Sequence, residues 1–270
     1  MSAFPRVLLA TVAAFGLLAA AAGPAAAQRA KTSPPACGLA YLPMVEGNEW
    51  SYEPTDSPVP LTDEQRDALE KNKLKLTPPP AKVIIKVLQV TTEGGRTTIT
   101  LEESADQLVR KTTLSCDKNQ LEMDPQSFFY ALEPGGGVMM ELGNLNRTGA
   151  AFPGSKGFKR GGSSAESLRA DITRNATEGS GATLTDGKLA LELTLRAGNA
   201  EQVATPAGKH KSAVRVDFDL TGRVAVAPNM DKEFELSLAR GVMWFQPGIG
   251  LVQGTNRDGQ WFQLVDLTLR

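Results

Sequence analysis

The chain has 270 residues and carries 29 Lys and Arg against 30 Asp and Glu, a formal net charge of -1 with both signs interspersed. That balance builds no basic field of the kind that recruits nucleic acid or an anionic membrane surface. One histidine and two cysteines are too few for a metal-binding His/Cys cluster, so no metal or cofactor is expected.

The N-terminus reads as a targeting segment. Arg6 supplies a short positive region, Val7 to Gly23 is apolar, and Ala25 and Ala27 stand at small-x-small positions, with cleavage expected before Gln28. A membrane anchor is the rival reading, because the apolar run is nearly long enough to span. The alanine-rich stretch ending in Ala-x-Ala favours a cleaved signal peptide, residues 1–27, and an exported protein, periplasmic or secreted. No cysteine stands at the cleavage point, which argues against a lipid anchor. No later apolar run is long enough for a second span.

Residues 28–36, "QRAKTSPPA", are polar and proline-bearing and read as a flexible leader. Cys37 opens the expected domain, 37–270. Cys37 and Cys116 are the only available pair, and in an exported chain a disulfide between them would tie the mature N-terminus to the middle of the fold. Two buried thiols are the alternative.

In "EWSYE", Trp50 and Tyr52 alternate with polar residues at strand period. Leu61 to Leu76 is the helix candidate, with Thr62 and Gln65 as a capping box and Lys71, Lys73 and Lys75 towards its end; its apolar stripe is thin, which makes it peripheral. From Lys82, two β-rich runs flank a turn at Gly94-Gly95, and short strands follow through Met123. Phe128, Phe129 and Tyr130 are aromatic β-formers beside the glycine-rich "PGGG", and short strands are expected around Val138 to Leu142. A glycine-rich insert lies near 154–167, its Gly161 to Ser167 part expected to be exposed.

The strand pattern then resumes. Leu189, Leu191, Leu193 and Leu195 share one face of a strand, and Val214, Val216 and Phe218 one face of the next, with Arg215, Asp217 and Asp219 opposite. "GVMWFQ", "GLVQGTN" and "QWFQLVDLTL" complete a series of about ten strands with no helical period to cover a parallel sheet. The predicted class is all-β: a curved antiparallel meander or half-barrel with one short peripheral helix. "PGIG" at Pro247 to Gly250 is followed by apolar strand residues and not by a helix, so it reads as a turn or bulge and not as a phosphate loop. Trp244 and Trp261 become candidate cross-strand neighbours.

Chemistry-bearing motifs are scarce. There is no nucleophile elbow, zinc-protease helix or Walker loop, and no catalytic residue is assigned. His210 stands alone between two lysines at a turn. Asp217 and Asp219 share a strand face, as solvated carboxylates do, and with His210 they are the only basis for a hydrolase alternative. The sequons at Asn146 and Asn175 matter only in a eukaryotic secretory route. Phe128, Phe129, Met139 and Met140 are the candidate walls of an apolar binding site beneath a mobile glycine-rich segment.

Three segments, "YLPMVEGNEWSYE", "VATPAGKHKSAVRVDF" and "WFQPGIGLVQGT", together resemble a pattern found in a family of uncharacterised exported bacterial proteins and lipoproteins. The resemblance frames most of the mature chain and implies a curved antiparallel sheet, analogous in shape to periplasmic lipoprotein carriers. His210, where the pattern has a hydrophobic or aromatic residue, and the glycine-rich insert depart from it. It transfers no catalytic residues. The expected function is non-enzymatic binding of an apolar small molecule or an envelope protein on the concave sheet face; a structural role in envelope assembly and a hydrolase with an unrecognised site are the alternatives.

Overall fold

In the computed structural model the described residues are 40–55, 79–117, 120–132, 140–153, 157–174, 186–226, 231–256 and 260–270. The signal segment, the leader with Cys37, the Leu61–Leu76 helix, Met139 and Asn175 lie outside them.

Two glycines in left-handed conformation, Gly94 at φ +58° and Gly95 at +83°, close the hairpin between β2 (Val83–Glu93) and β3 (Arg96–Ala105), as the sequence pattern requires. Similar hairpins link β3 to β4 (Leu108–Cys116) and β4 to β5 (Gln120–Met123). The second half of the chain runs β8 (Ser163–Arg174), β9 (Asp186–Thr205), β10 (Gly208–Val226), β11 (Phe234–Gln246), β12 (Gly250–Thr255) and β13 (Trp261–Thr268), each antiparallel to the next. The first strand, β1 (Glu49–Thr55), lies between β13 and β2, so the two meanders join through the chain's first and last strands. With the edge strands β6 (Met140–Gly149) and β7 (Phe152–Pro153), the result is one 13-stranded curved sheet in the order β6-β8-β9-β10-β11-β12-β13-β1-β2-β3-β4-β5-β7. It is an all-β half-barrel, as predicted.

Alternation decides which way each strand faces. Leu189 to Leu195 at every second position, and Val214, Val216, Phe218 and Leu220, are buried, while Lys188, Glu192, Arg196, Arg215 and Asp217 are exposed. Register shifts at Ser51/Tyr52, Val87/Gln89, Leu220/Thr221 and Trp244/Phe245 mark bulges, which bend strands and increase their twist, so the sheet curls.

The concave face is filled by a helical turn. Phe128–Ala131 forms a short helix, α1, where strand-forming aromatics were expected. A strand presents its side chains to only two faces, whereas a helical turn spreads them around its axis. Phe128 accordingly meets Tyr52 (ring centroids 5.3 Å apart) and Phe262 (5.6 Å, edge-on), while Phe129 meets Trp50 (6.1 Å, edge-on). Leu132, at φ +53°, ends the turn by donating its N–H to the Phe128 carbonyl. Gly254 makes room for it: a Cβ there would lie 2.4 Å from a Leu132 methyl. The short helix among the described residues is therefore a core element and not a peripheral one.

The glycine-rich insert is shorter than the composition suggested. β8 begins at Ser163 and Glu166 is buried, so 163–167 is sheet and not exposed loop. The turn before it is pinned by Phe158, stacked on Tyr41 at 4.3 Å and packed edge-on against Phe245 at 5.4 Å. KEFELSLAR and GVMWFQ, read as separate strands, are one strand, β11.

Candidate functional site

The three sequence segments singled out above serve the architecture. The buried Asn48 donates to the Pro43 carbonyl (2.6 Å) and accepts from the Arg270 amide (2.8 Å), linking the first turn to the C-terminus. Trp50 Nε1 donates to Ile249 O (2.6 Å) and Tyr52 Oη to Leu251 O (3.0 Å), so "GNEWSYE" clasps "PGIGLV". Burial raises the Tyr52 pKa well above its ordinary value, which keeps that donor protonated. Gly250, at φ +107°, lets the chain pass close to Trp50, whose Nε1 a Cβ would approach to 3.2 Å. "PGIG" is thus the β11–β12 turn. In the third segment the β9–β10 tip docks on β13 through Ala207 N–H to Leu264 O (3.3 Å).

Two buried carboxylates hold α1 from opposite sides. Glu103 of β3, 3% exposed, accepts from Arg110 Nε (2.8 Å), Thr112 Oγ1 (3.1 Å), Ser127 Oγ (2.6 Å) and the Phe128 amide (3.1 Å). It takes the amide that opens the helical turn, while Ser127 caps nothing itself. Glu166 of β8 accepts from Tyr130 Oη (3.0 Å) and Arg147 (2.8 Å). Burial, and then the Glu166 charge, push the Tyr130 pKa far above the ordinary phenol value, so the phenol remains a donor.

The sheet's open side lies beside this arrangement. β6 leads through Ala150 and Ala151 into β7, which pairs with β5 at Gln120–Leu121, so the chain crosses from one sheet edge to the other. Beyond that crossing the edges part, and a cleft of about 610 Å³ opens between them. Thr113, Ser115, Glu122 and Met123 line one wall and Leu142, Leu145 and Arg147 the other, with Asp124 to Gln126 between them. Arg96 bridges Ser115 and Glu122 at the rim. Arg147 joins the cleft to the interior through Glu166. Leu145, 43% exposed, sits in a bulge of β6 between Gly143 and Asn146. Asn144 holds that bulge at φ +47° by donating to Asp171 (2.6 Å).

The residues singled out in the sequence are placed apart from this cleft. Phe128 and Phe129 are buried core of α1, and Met140 opens β6. Asp217 and Asp219 share a convex face as expected, but each bonds an arginine, Arg215 and Arg240 respectively, in solvent. His210 is only 4% exposed, with Nε2 3.0 Å from Thr205 Oγ1 and Nδ1 without a partner, and burial lowers its pKa. It is a buried residue and not the surface histidine the flanking lysines suggested. Trp244 and Trp261 do stack, at 5.6 Å, but across the intervening β12, Trp244 opposite Gln253 and Trp261 opposite Thr255. Cys116, at the end of β4 beside Ser115, is not a free thiol; its expected partner, Cys37, lies outside the described residues. Sequence reasoning missed Leu145, Arg147 and Glu166. The positive φ at Asn144 that turns Leu145 outward is foreshadowed only by a Gly-Asn pair, and no motif marks the other two.

Among the described residues no group of three or more His, Cys, Asp or Glu side chains gathers for a metal, and no helix is long and apolar enough to cross a membrane. No protein-family model matches the chain, and no curated protein matches it. Two solved structures align over 84% of this chain and 98% of their own. One is a protein from Bacteroides fragilis NCTC 9343 assigned as exported, with a YmcC-like fold, at 15% identity and a TM-score of 0.45. The other is a protein from Parabacteroides distasonis ATCC 8503 assigned as a lipoprotein, at 12% identity and a TM-score of 0.42.

Proposed function

We propose that this chain is an exported, non-enzymatic protein of a bacterial envelope or of the extracellular space, and that it binds a protein partner at the cleft between β5 and β6. The observation that carries the reading is where space is found. The concave face is occupied by α1 and its aromatic neighbours, whereas the open side holds a cleft with mixed charge and an outward leucine. Export rests on residues 1–27, whose Arg6, apolar run and Ala-x-Ala favour cleavage before Gln28. Edman sequencing of the mature protein is expected to begin at Gln28. A photo-crosslinking amino acid at Leu145 is expected to trap an envelope protein in cells, while the same group at exposed Leu108 is not. Equal trapping at both positions, or none at either, defeats the partner reading.

An apolar ligand on the concave face, with Phe128, Phe129, Met139 and Met140 around it, is the second reading. It requires α1 to leave its place, which a turn this short, held largely through polar contacts to Glu103 and Glu166, makes conceivable. Native mass spectrometry of the purified protein that finds a bound lipid supports this second reading over the first.

A further inference from the structure

The partner reading leaves open what kind of group enters the cleft. Among the described residues, β6 pairs only with β8, and its other edge borders the cleft over much of its ten residues. Across the cleft, β5 pairs with β7 only at Gln120 and Leu121, and no strand pairs with Glu122 and Met123 on that side. The cleft is therefore walled by two strand edges whose backbone donors and acceptors point towards each other's side. An edge of this kind is a template for another strand, and proteins usually blunt it with lysine, proline or cover. Neither residue type occurs between Met140 and Gly149; only the Asn144 bulge interrupts the edge, and it turns Leu145 into the opening.

We propose that the cleft takes an extended segment of a partner protein as an added strand, paired through its backbone to the β6 edge, to the β5 edge, or to both. Main-chain hydrogen bonds supply the affinity in this mode, and side-chain sites at every second position supply the selectivity. Leu142 and Leu145 are the apolar contacts for one face of the incoming segment, and Arg96, Glu122 and Asp124 the polar contacts near its ends. About six residues, roughly 20 Å of extended chain, match the length of edge available. A rigid apolar small molecule fits poorly, because such ligands favour enclosed, mostly apolar pockets. The inference rests on the partner reading and adds the mode of recognition to it.

The test uses the purified mature protein and a displayed library of random octapeptides. Selected peptides are resynthesised with alternate backbone nitrogens methylated, which removes strand pairing while keeping the side chains. Binding is expected to weaken at least tenfold on methylation and on Leu145→Asp, and to be unchanged by Leu108→Asp. Hydrogen exchange with a selected peptide bound is expected to slow at 142–147 and 122–124. Methylated peptides that bind equally well at the same amides overturn strand addition while leaving the partner reading standing. A library that yields no binder sensitive to Leu145→Asp overturns strand addition, and if crosslinking at Leu145 also traps nothing, the partner reading falls with it. Slowed exchange at the same amides in a concentration-dependent dimer without peptide replaces the foreign segment with a second copy of the chain and overturns the proposal.

Discussion

Glu103 is an acid placed where ionisation is costly, and the surrounding donors make it tolerable. A buried carboxylate without partners would take up a proton, whereas this one accepts from a guanidinium, two hydroxyls and a backbone amide. Glu103→Ala strands Arg110 and the Phe128 amide, so urea unfolding should show a loss of about 3 kcal/mol or more. His210 carries the opposite lesson. Its pKa is lowered by burial, so the unfolded chain binds the proton more tightly than the folded one. The stability it allows is complete above the ordinary histidine value of about 6.5 and falls as pH drops from there towards the lowered folded pKa. Denaturation midpoints measured from pH 8 down to pH 5 should fall in that window for the native protein. They should fall less for His210→Phe, which cannot titrate.

At the scale of elements, α1 and the β11–β12 turn carry the closure of the sheet. Phe128 touches Tyr52, Phe129 and Phe262 at once, so Phe128→Ala empties the centre of the concave face. A loss of about 3–5 kcal/mol is expected by chemical denaturation. Gly250→Ala places a β-carbon on a residue at φ +107° and presses it towards Trp50 Nε1. Strain of this kind costs about 1–3 kcal/mol, and the clasp between β1 and the turn should loosen with it. Faster hydrogen exchange at the Trp50 indole in Gly250→Ala is the specific readout.

At the scale of the whole molecule, what matters is how a sheet that does not close is kept in shape. The β13–β1 pairing, the Asn48 link to Arg270 and the Trp50 and Tyr52 bonds join the chain's two halves. A Cys37–Cys116 disulfide would add a covalent tie at the end of β4, close to the Ser115 wall of the cleft. Thiol titration of the denatured protein should find no free thiol before reduction and two after it. Cys37→Ser is expected to lower stability by about 2–4 kcal/mol under oxidising conditions and to have little effect in reductant.

Period-two alternation in the sequence determined the class of this protein and the inward face of its long strands, because a strand has only two faces and one must leave water. Gly94-Gly95 and "PGIG" marked their turns for a similarly local reason: left-handed backbone favours glycine. Phe128 to Tyr130 were misread because β propensity is local, whereas the helical turn there is held by Glu103, 25 residues away from Phe128. Trp244 and Trp261 were expected on adjacent strands but stack across one, since the lengths of β12 and its hairpin set which strands are neighbours. The cleft was invisible to periodicity altogether. It is made by two strand edges that β7 brings together at one end and leaves apart at the other, and only the closing path of the whole sheet decides where such a gap falls.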